Sequence, residues 1–167
     1  PSNPTGAVYS KEELVALAKV LERHPHVMVI TDDIYEHIRW NNDPYYNILM
    51  VNSSLKDRTI VLNGVSKTYA MTGWRIGYAA GPEAIIKSMK KVQGQSTSNP
   101  CSIAQAAAVE ALNGDQSFIQ MMVDEFKMRH DYLVENLNKI DGVDCPTSDG
   151  AFYSFPKVEK LIQRLGL

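Results

Sequence analysis

Lys67 stands where an apolar, β-branched run, Thr59-Ile60-Val61-Leu62-Asn63, gives way to Gly64-Val65-Ser66. A lysine at the carboxyl end of such a strand lies where open α/β sheets hold their ligands. Desolvated beside other cations, its amine loses basicity and can form a Schiff base. Taken alone, a loop lysine is far more often simply solvated. Eight positions on, Arg75 offers a guanidinium fork that matches a phosphate, although a lone arginine serves equally well as an internal ion-pair partner. Thr31-Asp32-Asp33-Ile34-Tyr35 ends a second apolar run. A carboxylate there can pair with a cationic ring nitrogen, and a phenol three residues on can donate to an oxyanion. Two aspartates after a strand also serve as a helix cap or as magnesium ligands. Asn3 lies in a Pro/Gly turn, and an Asx-type turn accounts for it by itself.

The elements that must position these residues follow from hydrophobic spacing. Ser10 with Glu13 forms a capping box ahead of Leu14, Leu17, Ala18 and Leu21, which predicts a helix over 10–23 ended by His24-Pro25. Val27 to Thr31, Thr59 to Asn63 and Ile76 to Ala80 read as buried strands. Helices are expected over 83–92 and 102–112, separated by a polar loop over 93–100, and a longer one, capped by Asp115, runs to about Asn138 along the stripe Ile119, Met122, Val123, Phe126, His130, Leu133 and Leu137. Val143 to Cys145 and Ala151 to Phe155 read as strands around a turn, and Lys157 to Leu167 as a last amphipathic element. Strands alternating with amphipathic helices make the class α/β.

Composition narrows the function. The chain has 167 residues, 17 Lys+Arg against 19 Asp+Glu for a net charge of −2, and 44% hydrophobic residues. That balance offers no surface for nucleic acid. No apolar run approaches the ~20 residues of a membrane span, and residues 1–6 lack a signal peptide's basic start and apolar stretch. Cys101 and Cys145 form no CxxC pair, and His24, His26, His37 and His130 show no metal-ligand spacing, so neither a disulfide framework nor a metal site is expected. The expected compartment is the cytoplasm.

In order, Asn3-Pro4-Thr5-Gly6, then Asp32-x-x-Tyr35, then Ser66-Lys67-Thr68-Tyr69-Ala70-Met71-Thr72-Gly73-Trp74-Arg75-Ile76-Gly77-Tyr78, the sequence closely resembles the class I aminotransferases of pyridoxal phosphate (PLP) fold type I, and among them bacterial aspartate aminotransferases. The likeness continues through Gln95 to Pro100 and Gly150-Ala151-Phe152-Tyr153, and so covers essentially the whole chain. It implies most of a large α/β domain over 1–114, with a mixed, mainly parallel sheet and helices on both faces, then a bridging helix and the start of a smaller α+β domain over 115–167.

It also implies roles. Lys67 would be the catalytic residue, forming the internal aldimine with pyridoxal phosphate and then shuttling a proton. Asp32 would keep the pyridine nitrogen protonated, Tyr35 and Asn3 would hydrogen-bond the 3′ oxygen, and Arg75 would grip the phosphate. Many relatives carry Ser or Thr three residues before the lysine as a phosphate ligand. Here Gly64 occupies that position and Ser66 adjoins the lysine instead. The loop around Ser98 would reach a neighbouring subunit of a homodimer. The family's upstream phosphate-binding turn, its ring-stacking aromatic residue and its carboxylate-gripping arginine have no counterpart in these residues, and Arg164 does not fill the last role. The chain therefore reads as a fragment, inactive alone, of an enzyme moving an amino group between an L-amino acid, aspartate or an aromatic one, and a 2-oxo acid.

The same motifs fit a PLP β-lyase, or the ligand-sensing domain of a transcription regulator built on this fold. Gly64 to Thr68 fails the spacing of a phosphate loop, and no GxGxxG motif occurs.

Overall fold

A computed structural model describes residues 1–41 and 43–167. The chain divides into two compact units, one formed by Pro1–Val8, Tyr35–Asp43 and Ser117–Leu167, the other by Tyr9–Ile34 and Pro44–Gln116.

The second unit opens with helix α1 (Lys11–Glu22), started by the expected capping box: Ser10 Oγ accepts from Glu13 N at 3.1 Å and Glu13 Oε2 accepts from Ser10 N at 2.8 Å. The far end of α1 is closed by Arg58, whose guanidinium donates to the carbonyls of Leu21, His24 and Val27 at 2.6 to 2.9 Å. The Leu21 and His24 carbonyls also accept from His24 N and Val27 N at 3.0 and 3.1 Å, so one cation adds a second donor to each and reaches the Val27 carbonyl as well. Strands β1 (Val29–Asp32), β2 (Thr59–Gly64) and β3 (Gly77–Ala80) form a mixed sheet in that order. β1 runs parallel to β2, with Val29 opposite Thr59 and Asp32 opposite Leu62; β3 runs antiparallel to β2, with Gly64 opposite Gly77. Between β1 and β2 lie the short helix α2 (Ile48–Val51) and a 3-10 turn over Ser53–Arg58.

Side chains alternate across a strand. Val29 therefore faces the side on which α1, α2 and the 3-10 turn bury Leu14, Ala18, Ile48 and Leu55. Ile30 and Asp32 take the opposite side, where Ile30 is 65% exposed. The strand starts two residues and ends one residue later than expected, and neither it nor β3, where Tyr78 is 44% exposed, is the buried strand its apolar run predicts, because the described residues leave Ile30 and Tyr78 largely uncovered.

A second core joins Val65, Met71 and Ile76 to Ala104 and Ala108 of helix α4 (Ser102–Asn113). Alanines let the helix approach the loop closely, so three apolar anchors hold the segment that carries Lys67. Helix α3 (Glu83–Ser96) runs four residues into the stretch expected to be a polar loop. Gly94 costs a helix about 1 kcal/mol relative to Ala but does not end it. The chain turns out only at Ser98, whose φ is +61°.

The first unit is built on helix α5 (Phe118–Leu137), which buries Val123, His130 and Val134. Ser117, not the expected Asp115, precedes its first residue. Asn138 clasps Cys145, its amide donating to the Cys145 carbonyl at 2.9 Å and its carbonyl oxygen accepting from Cys145 N at 2.7 Å. The strands expected over 143–145 and 151–155 do not form. Asp144 makes one bridge to Lys157 and Gly150 one to Arg39. Ala151, with φ +60°, turns the backbone out of the extended conformation that a ladder needs. Helix α6 (Glu159–Leu165) realises the last amphipathic element.

Candidate active site at the carboxyl edge of the sheet

The register brings four of the six candidate residues to one edge of the sheet. β1 and β2 are parallel, so Asp32 at the end of β1 and the Ser66-Lys67 turn just beyond β2 share the carboxyl edge. β3 is antiparallel to β2, so Arg75, immediately before β3, returns to the same edge. Ligands of open α/β sheets bind at this edge.

Local bonding shapes the turn between Ser66 and Arg75. Thr72 Oγ1 donates to the Ser66 carbonyl at 3.0 Å, and Arg75 Nη1 donates to the Thr72 carbonyl at 2.8 Å. Arg75 itself adopts a left-handed conformation at φ 56°, ψ 46°, ending the 3-10 turn Thr72–Trp74 and redirecting the chain into β3. A non-glycine residue held there points to a site whose geometry the surroundings enforce.

The neighbouring aspartates divide cleanly. Asp33 is buried at 4% exposure, with Oδ1 accepting from Thr31 Oγ1 at 2.6 Å and Oδ2 from Asn47 Nδ2 at 2.6 Å. Both of its oxygens are engaged in structure. Asp32 is exposed, makes one long bond from Ile34 N at 3.3 Å, and lines an open cavity of about 450 Å³ with Leu62, Asn63, Tyr78 and Met89.

In the first unit, Asn3 is exposed in a turn whose Asn3-Pro4 peptide is cis. Tyr35 is buried, its hydroxyl hydrogen-bonded to that of Tyr153. The segments carrying them are both laced to residues 149–151. Asp149 N donates to the Gly6 carbonyl at 3.2 Å, Val8 N to Asp149 Oδ2 at 3.1 Å, Trp40 N to the Asp149 carbonyl at 3.0 Å, and Ala151 N to the Ile38 carbonyl at 2.8 Å. Gly6, at φ +70°, lies so close to Ser148 and Gly150 that a Cβ would meet the Gly150 carbonyl oxygen at 2.5 Å.

The donor set suits a phosphorylated heterocycle. Among the described residues the Ser66 hydroxyl makes no hydrogen bond, and Arg75 uses only Nη1, which leaves a neutral and a cationic donor for a phosphate at the same edge as an uncommitted carboxylate. No group of three or more His, Cys, Asp or Glu that could hold a metal ion occurs among the described residues, and no helix there is long and apolar enough to cross a membrane.

Two residues escaped the sequence reading. Asn47, N-cap of α2 through bonds from Leu49 N and Met50 N at 3.1 Å, also holds Asp33. Its signal was an asparagine directly before the apolar Ile48-Leu49-Met50-Val51, the pattern of a helix start. Tyr153 gave no local signal of its contact with Tyr35, because its partner is distant in sequence.

The family model for aminotransferase class I and II matches residues 1–165. An aspartate/prephenate aminotransferase of Nitrosomonas europaea is 56% identical over 165 residues, 99% of this chain and 42% of its own length. An aspartate aminotransferase of Rhizobium meliloti is 52% identical over 155 residues, 93% of this chain and 38% of its own. Among solved structures, the aspartate aminotransferase of Rhizobium meliloti superposes with a TM-score of 0.92 at 51% identity, covering 96% of this chain and 40% of that one. An aromatic aminotransferase from Pyrococcus horikoshii does so with a TM-score of 0.87 at 37% identity, covering 100% and 43%. The chain thus spans about two-fifths of the length of the relatives it matches.

Proposed function

We propose that this chain, which belongs to the aminotransferase class I and II family, supplies much of the cofactor site of an enzyme that moves an amino group between an L-amino acid and a 2-oxo acid. The observation that carries this reading is the convergence of Asp32, Ser66, Lys67 and Arg75 on one sheet edge, with open donors at the same edge as an exposed carboxylate.

Pyridoxal phosphate, when bound, supplies a cationic ring that withdraws electrons from the substrate α-carbon. The chain's own residues would divide the remaining work. Arg75 and the Ser66 hydroxyl would hold the phosphate. The Asp32 carboxylate would keep the ring nitrogen protonated, since an anion in contact favours the charged form. Asn3 and Tyr35 would donate to the 3′ oxygen. Lys67 would hold the cofactor covalently through Nζ and, once displaced by the substrate amine, take a proton from the substrate α-carbon and deliver it to the cofactor's C4′ carbon, as a positioned general base and then acid.

On the same family reading, residues 1–114 belong to a large cofactor-binding domain and 115–167 to a bridging helix and the start of a smaller one, in a cytoplasmic homodimer. Aspartate and prephenate, named for the Nitrosomonas relative, are the first substrates to assay. The test is reduction of the pyridoxal phosphate-loaded full-length enzyme with borohydride, followed by peptide mapping. A cofactor adduct on Lys67, lost together with turnover in Lys67→Ala, is expected. Turnover retained in Lys67→Ala overturns the assignment.

A further inference from the structure

We propose that Tyr153 is a positioning residue that orients the hydroxyl of Tyr35 and strengthens its hydrogen bond to the cofactor's 3′ oxygen, an inference that rests on the pyridoxal phosphate reading above. The two hydroxyls are hydrogen-bonded to each other although the residues lie 118 positions apart. The Tyr153 ring stands edge-on to Tyr35 at 5.8 Å, and Phe152 does the same at 5.6 Å.

Consecutive residues of an extended strand point to opposite sides, so two neighbours on one ring require a bend. The backbone bends at both Ala151 and Phe152, and Ala151 is fully buried and left-handed at φ +60°. The bend is locked from both sides. Ala151 N donates to the Ile38 carbonyl at 2.8 Å, Gly150 is bridged to Arg39, and Phe126 of α5 backs Phe152 at 5.1 Å. The pairing of Tyr153 with Tyr35 is therefore built into the backbone rather than being a passing contact of two surface phenols.

The chemistry follows from counting protons. A phenol has one proton to donate and can accept at its oxygen. If Tyr35 donates to Tyr153, it has no proton left for another acceptor. An anionic oxygen placed before Tyr35 selects the other arrangement, because a hydrogen bond to an ion is about twice as strong as one between neutral groups. Tyr153 then donates to Tyr35, and Tyr35 to the anion. A hydroxyl that accepts a hydrogen bond donates more strongly, by about 10–30% per bond. Tyr35 favours the form of the bound cofactor whose negative charge rests on the 3′ oxygen alone, and so lowers the pH at which the cofactor's visible absorbance titrates. Tyr153 adds to that lowering through Tyr35.

The experiment is a spectrophotometric pH titration of the pyridoxal phosphate-loaded full-length enzyme, wild type against Tyr35→Phe, Tyr153→Phe and the double variant, with thermal midpoints measured alongside. Each substitution keeps the ring and removes only the hydroxyl. Tyr35→Phe is expected to titrate at higher pH, and Tyr153→Phe to move the same way by about a fifth as much. The double variant should match Tyr35→Phe alone. A wild-type titration in Tyr153→Phe while Tyr35→Phe shifts overturns the proposal and leaves the cofactor reading intact. An additive shift in the double variant also overturns it, since Tyr153 would then not act through Tyr35. A wild-type titration in Tyr35→Phe removes Tyr35 from the cofactor, and the proposal with it.

Discussion

Asn47 Nδ2 donates to Asp33 Oδ2 at 2.6 Å, and this buried clasp separates the duties of two adjacent carboxylates. With Thr31 Oγ1 on its other oxygen, Asp33 is committed to holding the end of β1 and the start of α2. Asp32 remains open at the sheet edge. Asp33→Ala strands the Asn47 amide and the Thr31 hydroxyl, and is expected to lower stability by about 1–3 kcal/mol. Asp32→Ala should leave the melting midpoint near wild type and reduce turnover sharply. Thermal unfolding and single-turnover rates of both variants check the division; the reverse pattern would assign the cofactor's ring nitrogen to Asp33.

Gly64 occupies the position at which many relatives carry a hydroxyl residue, and the reason lies across the sheet. A Cβ there would stand 3.0 Å from the Ile76 carbonyl oxygen and 3.2 Å from the Cα of Gly77, its partner on β3. Gly64→Ser therefore pushes the strands apart instead of completing the phosphate cup. A loss of about 1–3 kcal/mol and no gain in cofactor affinity are expected, read by denaturant unfolding and by fluorescence titration with pyridoxal phosphate.

The two cysteines should differ in reactivity. Cys101, exposed at the start of α4, has its thiol pKa lowered by backbone hydrogen bonds from Ala104 and Ile103, whereas burial pushes the Cys145 thiol up. The thiolate is the reactive form. At mildly alkaline pH iodoacetamide should label Cys101 roughly tenfold or more faster than Cys145, as followed by peptide mass spectrometry. Equal rates would mean that the helix start leaves the thiol unperturbed.

His130 is a structural residue of α5 in which both ring nitrogens are engaged. Nε2 accepts from Ser148 N at 3.2 Å, Nδ1 faces Asp131 Oδ1 at 3.2 Å, and the ring packs 5.6 Å from Trp40. His130→Ala leaves the Ser148 N–H without its acceptor at the segment that laces Gly6 and Ile38. A loss of about 1–3 kcal/mol is expected, with faster amide exchange over 148–151. Unchanged exchange there would show that the lacing does not depend on the imidazole.

Acid should weaken the outer face of the same helix. Asp131 has its carboxyl pKa lowered, first by its bond with Lys127 and then by His130. The folded value lies below the unfolded one, so the stabilisation is present above the unfolded pKa and disappears as pH falls through the folded one. The pair is exposed, so the contribution is a few tenths of a kcal/mol. Lys127→Met should reduce that acid-side slope, leaving the share that His130 contributes, and unfolding curves at several pH values measure it.

The α/β class and most elements were legible because each leaves a local mark. The Ser10-Glu13 box starts α1, apolar runs mark β1 to β3, and alanine density marks α4. The motif around Lys67 was legible for a related reason: strand end, lysine turn and arginine are contiguous, so residue order alone orders them along one sheet edge. The misreadings have physical causes too. Ala151 to Phe155 has strand composition, but a left-handed residue and a single bridge prevent a ladder. The apolar run of β1 records a tendency to be covered on both faces, while Ile30 is 65% exposed because the described residues cover one.

The sequence alone thus determined where strands and helices form and that Lys67, Asp32 and Arg75 are set at strand ends, since those properties depend on neighbours a few residues away. Only the tertiary structure decided which of two adjacent aspartates is committed, why a glycine stands three residues before the lysine, and which phenol meets Tyr35. Each of those depends on an atom brought close from another part of the chain, the Asn47 amide, the Ile76 carbonyl and the Tyr153 hydroxyl, and no local periodicity encodes such a meeting.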